Sequence, residues 1–125
     1  MLLVRCMLVA NVVWDLVSAL ALLHDGHGVV ARLHTGWWHD EKDNTPQTRR
    51  VLALFLILLG IMRAQTRVFA VGSYGCEMVW LFWGVWCGTM TIERVWGSAV
   101  LCVVCGSAAS GFIFTPDGIH RHGLA

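Results

Sequence analysis

Long apolar stretches broken by short polar ones set the rhythm of this chain. Nearly continuous apolar runs cover Leu2 to Leu23, Val71 to Met90 and Val95 to Phe114, each close to the length of about 20 helical residues that crosses a hydrocarbon core. A fourth run, Val51 to Met62, is short alone, but Thr45 followed by Pro46 reads as an N-cap with proline at the first helical position. Extending that helix to Arg67 gives a full span. The pattern predicts an all-α polytopic membrane protein: a single domain, 1–125, with four transmembrane helices at about 2–23, 46–67, 71–92 and 95–114 in an up-down-up-down bundle. The alternative is three spans plus an interfacial second helix. Residues 24–45 form a polar loop in which Val29 to Trp38 is expected as a short interfacial helix, with Trp37 and Trp38 as headgroup-level anchors. Tight connections are expected at Gly72 to Gly75 and at Glu93 and Arg94, and TPDG after Phe114 ends the last helix before a short tail, 115–125.

Composition strengthens the membrane reading. Of 125 residues, 57% are hydrophobic and 14% charged, with a mean hydropathy of +0.64, where a soluble domain has about 25% charged residues. The N-terminal run has neither a basic leader nor a small-residue cleavage pattern, so it is expected to stay as the first span. A formal charge of +1 without any basic run argues against a nucleic-acid partner. The basic residues do not orient the chain: Arg5, Arg63, Arg67 and Arg121 on one face balance Arg32, Lys42, Arg49, Arg50 and Arg94 on the other. Cys6, Cys76, Cys87, Cys102 and Cys105 all fall inside apolar segments and read as small buried hydrophobes.

Charges inside the spans carry the most information. With a rise of about 1.5 Å per residue, Arg63 lies roughly 9 to 10 Å from its helix midpoint and Glu77 roughly 6 Å from its own, toward the same face. Asp15 sits near mid-span in the first helix. An unpaired charge at such depth costs at least about 2.5 kcal/mol, so Asp15, Arg63 and Glu77 are expected to form an intramembrane ion-pair cluster that locks the helices together, or, alternatively, a polar path. Arg67, near a helix end, is expected to snorkel. At the opposite face Glu93 is expected to pair with Arg49 and Arg50.

Small residues suggest close helix packing: Gly84 and Gly88 as GxxxG in the third span, and Gly106, Ser107, Ser110 and Gly111 in the fourth. Trp80, Trp83 and Trp86, with Phe82, make an aromatic face suited to packing, or to a sterol, a pigment or a partner helix. His24, His27, His34 and His39 crowd the polar loop but lack a second ligand pair at helical spacing, so no metal is expected. The spans contain no histidine for haem, and no nucleophile-base motif is present; neither a cofactor nor an enzyme is expected.

Leu33-His34-Thr35-Gly36 before the second span, Arg50 at its start, Ile61-Met62-Arg63 near its end and Glu93 at the end of the third together resemble the four-helix sterol-biosynthesis scaffold family of the endoplasmic reticulum. Where members of that family carry His-Phe ahead of the glutamate, this chain has Thr89-Met90-Thr91-Ile92. The resemblance implies a non-catalytic protein that tethers sterol enzymes in that membrane. Outside the resemblance, the alternatives are an accessory subunit of a respiratory or photosynthetic complex, in the mitochondrial inner or thylakoid membrane, and a small transporter or channel using Asp15, Arg63 and Glu77. In each case the expected partners are the lipid bilayer and, for the first two, other integral membrane proteins.

Overall fold

A computed structural model describes residues 2–24, 28–38, 42 and 44–113. Five helices carry these residues: α1 (Leu2–His24), the short α2 (Val29–Thr35), α3 (Pro46–Ala64), α4 (Arg67–Trp86) and α5 (Ile92–Ile113). Among the described residues there is no strand, only an isolated antiparallel bridge between Trp38 and Met90. α1 packs chiefly on α3, α3 on α4 and α4 on α5, while α1 meets α5 only lightly. Three of the helices, α1, α4 and α5 up to Gly111, are long and apolar enough to cross a membrane. α3 differs because Arg49, Arg50 and Arg63 all lie within its 19 residues.

Each long helix turns a narrow stripe inward. In α1 the buried positions are Leu8, Asp15, Ser18, Ala19 and Leu22; in α3 they are Leu52, Ala53, Leu56, Leu59, Gly60 and Arg63. In α4 the stripe is Arg67, Ala70, Ser73, Tyr74, Leu81 and Gly84, and in α5 Val95, Cys102, Cys105 and Ala109. Steps of three and four residues keep such positions on one face of a helix. Small residues bring α1 and α3 close: a Cβ added at Gly60 would lie 3.5 Å from the Asp15 Cβ. The outward positions are apolar too, including Val9, Leu54, Val79 and Val104.

Helix boundaries follow from caps. Thr45 accepts from the Thr48 amide at 3.2 Å while the Thr48 hydroxyl accepts from the Thr45 amide at 3.0 Å, a reciprocal pair that opens α3 together with Pro46. The break between the second and third predicted spans lies at Gln65 and Thr66, not at Gly72 to Gly75. Thr66 caps α4 through the Phe69 amide at 3.5 Å, and both glycines are absorbed into the helix. α4 therefore ends at Trp86, six residues before the expected 92.

That end is a Schellman closure. Thr89 N–H donates to Gly84 O at 3.0 Å and Gly88 N–H to Val85 O at 3.1 Å. Gly88 sits at φ +79°, which only glycine adopts cheaply. Gly88 thus lies beyond the helix, and Gly84 faces the Met90 side chain of the same turn. The expected GxxxG helix interface is not formed there. In α5, Gly106 does meet another helix, its would-be Cβ 3.4 Å from Tyr74. Around Gly111 there is open space, Ser107 is exposed, and the Ser110 hydroxyl donates back to Ser107 O at 3.1 Å.

Candidate functional site

The inward stripes of α1, α3 and α4 meet at Arg63. Its Nη1 donates to Asp15 Oδ2 at 2.6 Å, its Nη2 donates to Glu77 Oε2, and its Nε donates to Ser73 Oγ at 3.0 Å. The guanidinium carbon lies 4.2 Å from the centroid of the Tyr74 ring, a cation–π contact. Ser73 in turn donates to Ala70 O at 2.6 Å, which fixes its lone pairs toward Arg63. Arg63 and Asp15 are both almost fully buried and Glu77 nearly so. The structure thus brings together the three charges that the sequence singles out, and adds Ser73 and Tyr74, which heptad spacing along α4 from Arg67 would have placed on the same stripe.

α5 closes this polar centre. Cys102 lines the same cavity as Glu77, and the Asn11 amide reaches Tyr74 Oη at 2.5 Å and Cys105 Sγ at 3.7 Å. Cys102 and Cys105 are buried as expected of small apolar residues, but Cys6, Cys76 and Cys87 are exposed, because they fall on outward positions; all five thiols are free.

At one end of the bundle, Trp37 and Trp38 are buried at 4% and 7% exposure. The expected outward anchors point inward instead: Trp37 Nε1 donates to Ser98 Oγ at 3.1 Å, and Trp38 pairs by backbone with Met90. A tryptophan whose N–H finds a partner is as well placed in a core as in a headgroup layer. Arg94 fixes the same corner, its Nη1 donating to Trp38 O at 2.9 Å. The expected pairing of Glu93 with Arg49 and Arg50 is not made among the described residues. Arg49 donates to Asn44 Oδ1 at 3.0 Å, and Glu93 occupies the first turn of α5, where the helix dipole favours an acid. Arg67 is buried at 9% exposure and does not extend outward.

His34 is buried in α2 between the rings of Trp14 and Trp37, with centroids at 5.9 and 5.1 Å. Burial pushes its pKa below the ordinary value of 6.5, against the opposing pull of the Val30 carbonyl and Glu77. His24 is exposed, and His27 and His39 lie outside the described residues, as does the tail 115–125. No set of three potential metal ligands occurs among the described residues.

A second feature lies on α4. Trp80 stacks on Phe55 with centroids 4.8 Å apart, and its Nε1 is buried without a hydrogen-bond partner. Phe82, Trp83 and Trp86 are exposed at 67%, 65% and 75%. Beside them runs a groove of about 470 Å³ walled by Trp38, Val51, Trp80, Trp83 and Met90. Comparison with protein-family models, with curated proteins and with solved structures finds no match.

Proposed function

We propose that the chain is a non-catalytic integral membrane protein of four crossing helices, a scaffold or accessory subunit whose outer faces hold partner membrane proteins together. The observation that carries this reading is its inverted polarity. Asp15, Ser18, Arg63 and Ser73 are buried, whereas Val9, Leu54, Val79, Trp83 and Trp86 are exposed. Water as solvent disfavours that arrangement and lipid favours it. A fourth crossing is supported by two buried clusters, one holding Ala19 and Leu22 of α1 with Leu81 of α4 and the other Leu8 of α1 with Ala70 and Tyr74 of α4. α1 and α4 then run the same way, and α3 must return between them. Its three arginines are tolerable because Arg63 is paired inside the bundle and Arg49 and Arg50 lie in the first turn, within reach of the surface.

The exposed aromatic face of α4 and the adjoining groove support a partner helix as what is held, with a sterol or pigment as the alternative occupant of the Trp80, Trp83 and Trp86 surface. Tethering of sterol-biosynthesis enzymes in the endoplasmic reticulum is the most specific form, resting on the sequence resemblance. The alternative is an accessory subunit of a respiratory or photosynthetic complex. Purification of the full chain in mild detergent, with identification of stoichiometric companions, tests both. Sterol enzymes support the first, an energy-transducing complex supports the second, and recovery of the chain alone counts against either.

The buried Asp15, Arg63 and Glu77 cluster beside a polar cavity favours a second reading, a small transporter. Flux through reconstituted vesicles that disappears with Glu77→Gln supports it, and a parent protein without flux overturns it.

A further inference from the structure

The polar centre is not filled. A cavity of about 100 Å³ adjoins it, its lining including Asp15, Glu77 and Arg63 together with Trp14, His34 and Trp37. A larger hollow of about 650 Å³ opens along the seam of α1, α2 and α5, where α1 and α5 touch only lightly, and shares Trp14, His34, Trp37, Ser98 and Leu101 with the inner chamber. Its outer walls include the apolar Leu33, Trp96 and Val100.

The charges in the chamber do not balance. Two carboxylates face one guanidinium, and Arg63 is already engaged by both. His34 adds no positive charge at neutral pH, because burial favours its neutral form. Its Nδ1 lies 3.5 Å from Val30 O, and the residue, 5% exposed, lines the chamber. With Nδ1 donating to Val30 O, Nε2 is left as the acceptor of the ring. One uncompensated negative charge, an imidazole acceptor and the indoles of Trp14 and Trp37 in the lining together fit a cation that also donates hydrogen bonds.

We infer that the chamber binds the protonated amine head of a singly charged amphiphile, with its apolar tail lying in the seam between α1 and α5. The volume suits such a head, equal to roughly three waters at about 30 Å³ each. A bare metal ion would leave the aromatic walls and the outer hollow without a role. A phosphate head would meet two carboxylates, and the cation nearest the mouth, Arg94, already donates to Trp38 O. The inference does not depend on the scaffold reading, since the site lies inside the bundle and away from the α4 aromatic face.

The test uses the full chain in nanodiscs of uncharged phospholipid, titrated near neutral pH with dodecylamine, dodecanol and dodecanoate, and followed by tryptophan fluorescence and thermal unfolding. Dodecylamine is expected to bind saturably and at least about tenfold more tightly than dodecanol, with dodecanoate weakest. Gly97→Phe narrows the seam at a position where an added Cβ meets nothing within 4 Å. It is expected to weaken dodecylamine at least about tenfold without lowering Tm, and Glu77→Gln to remove the preference for the amine over the alcohol. Equal responses to all three probes, which is what partition into the bilayer gives, overturn the inference. So does dodecylamine binding that Gly97→Phe leaves intact, and that variant keeps the test decisive should Glu77→Gln not fold.

Discussion

At the scale of single residues, Arg63 holds more than any other side chain, since it joins α1 to α3 and α4 through Asp15, Glu77 and Ser73. Its two acids make the loss of either one tolerable. Neutralising one acid leaves Arg63 with one ionised partner and one neutral acceptor, so Asp15→Asn or Glu77→Gln alone is expected to cost about 1 kcal/mol. The double variant leaves a buried, uncompensated guanidinium and is expected to cost about 3–5 kcal/mol in all, more than the sum of the singles. Thermal unfolding of the four proteins in one detergent checks this, and additivity within error would mean that the cluster does not act as a unit. His34 gives a second expectation. Its pKa is lowered on folding, so the unfolded chain binds the proton more readily and stability rises with pH across the titration. The stabilisation is complete above the unfolded value of 6.5 and is lost as pH falls below it toward the lowered folded value. A Tm that drops on acidification in the parent and drops less in His34→Gln is the expected result.

At the scale of elements, the chain's glycines separate into those that permit a backbone shape and those that merely occur in a helix. Gly88 needs a left-handed φ to close α4, so Gly88→Ala is expected to destabilise by roughly 1–2 kcal/mol. Gly75 is helical with nothing within 4 Å of an added Cβ, so Gly75→Ala is expected to stabilise by about 0.5–1 kcal/mol. Unfolding of both variants beside the parent reads the contrast directly. The same distinction explains what the sequence made legible. The ion-pair cluster could be read because a charge within an apolar run is expensive and the chain between Arg63 and Glu77 is short. The break before α4 is hard to read because Gly72 and Gly75 look like a turn, while the working signal is one threonine, Thr66, whose hydroxyl accepts from the Phe69 amide. Gly84 and Gly88 match a packing motif in sequence, but the helix ends between them. The inward position of Trp37 was not legible at all, since its partner Ser98 is 61 residues away and nothing local selects it.

At the scale of the whole molecule, the number of crossings decides which surfaces face which side, and two free cysteines report it. Cys6 lies near the start of α1 and Cys87 directly after α4, and both are exposed. If α3 crosses, α1 and α4 run in the same direction and these two thiols lie on opposite sides of the membrane. If α3 rests along the interface, α4 starts from the face where α1 ends, and the two thiols share a side. Ala19 and Leu22 late in α1 share a buried cluster with Leu81 late in α4, while Leu8 early in α1 shares another with Ala70 and Tyr74 early in α4, which favours the first arrangement. Single-cysteine variants retaining Cys6 or Cys87, in sealed vesicles of uniform orientation, are expected to differ in reaction with a membrane-impermeant maleimide: one labels at once and the other only after permeabilisation. Labelling of both under the same condition would require α3 to leave the bundle core. That in turn would break the Arg63–Asp15 contact, because Arg63 reaches Asp15 only from an α3 packed lengthwise on α1.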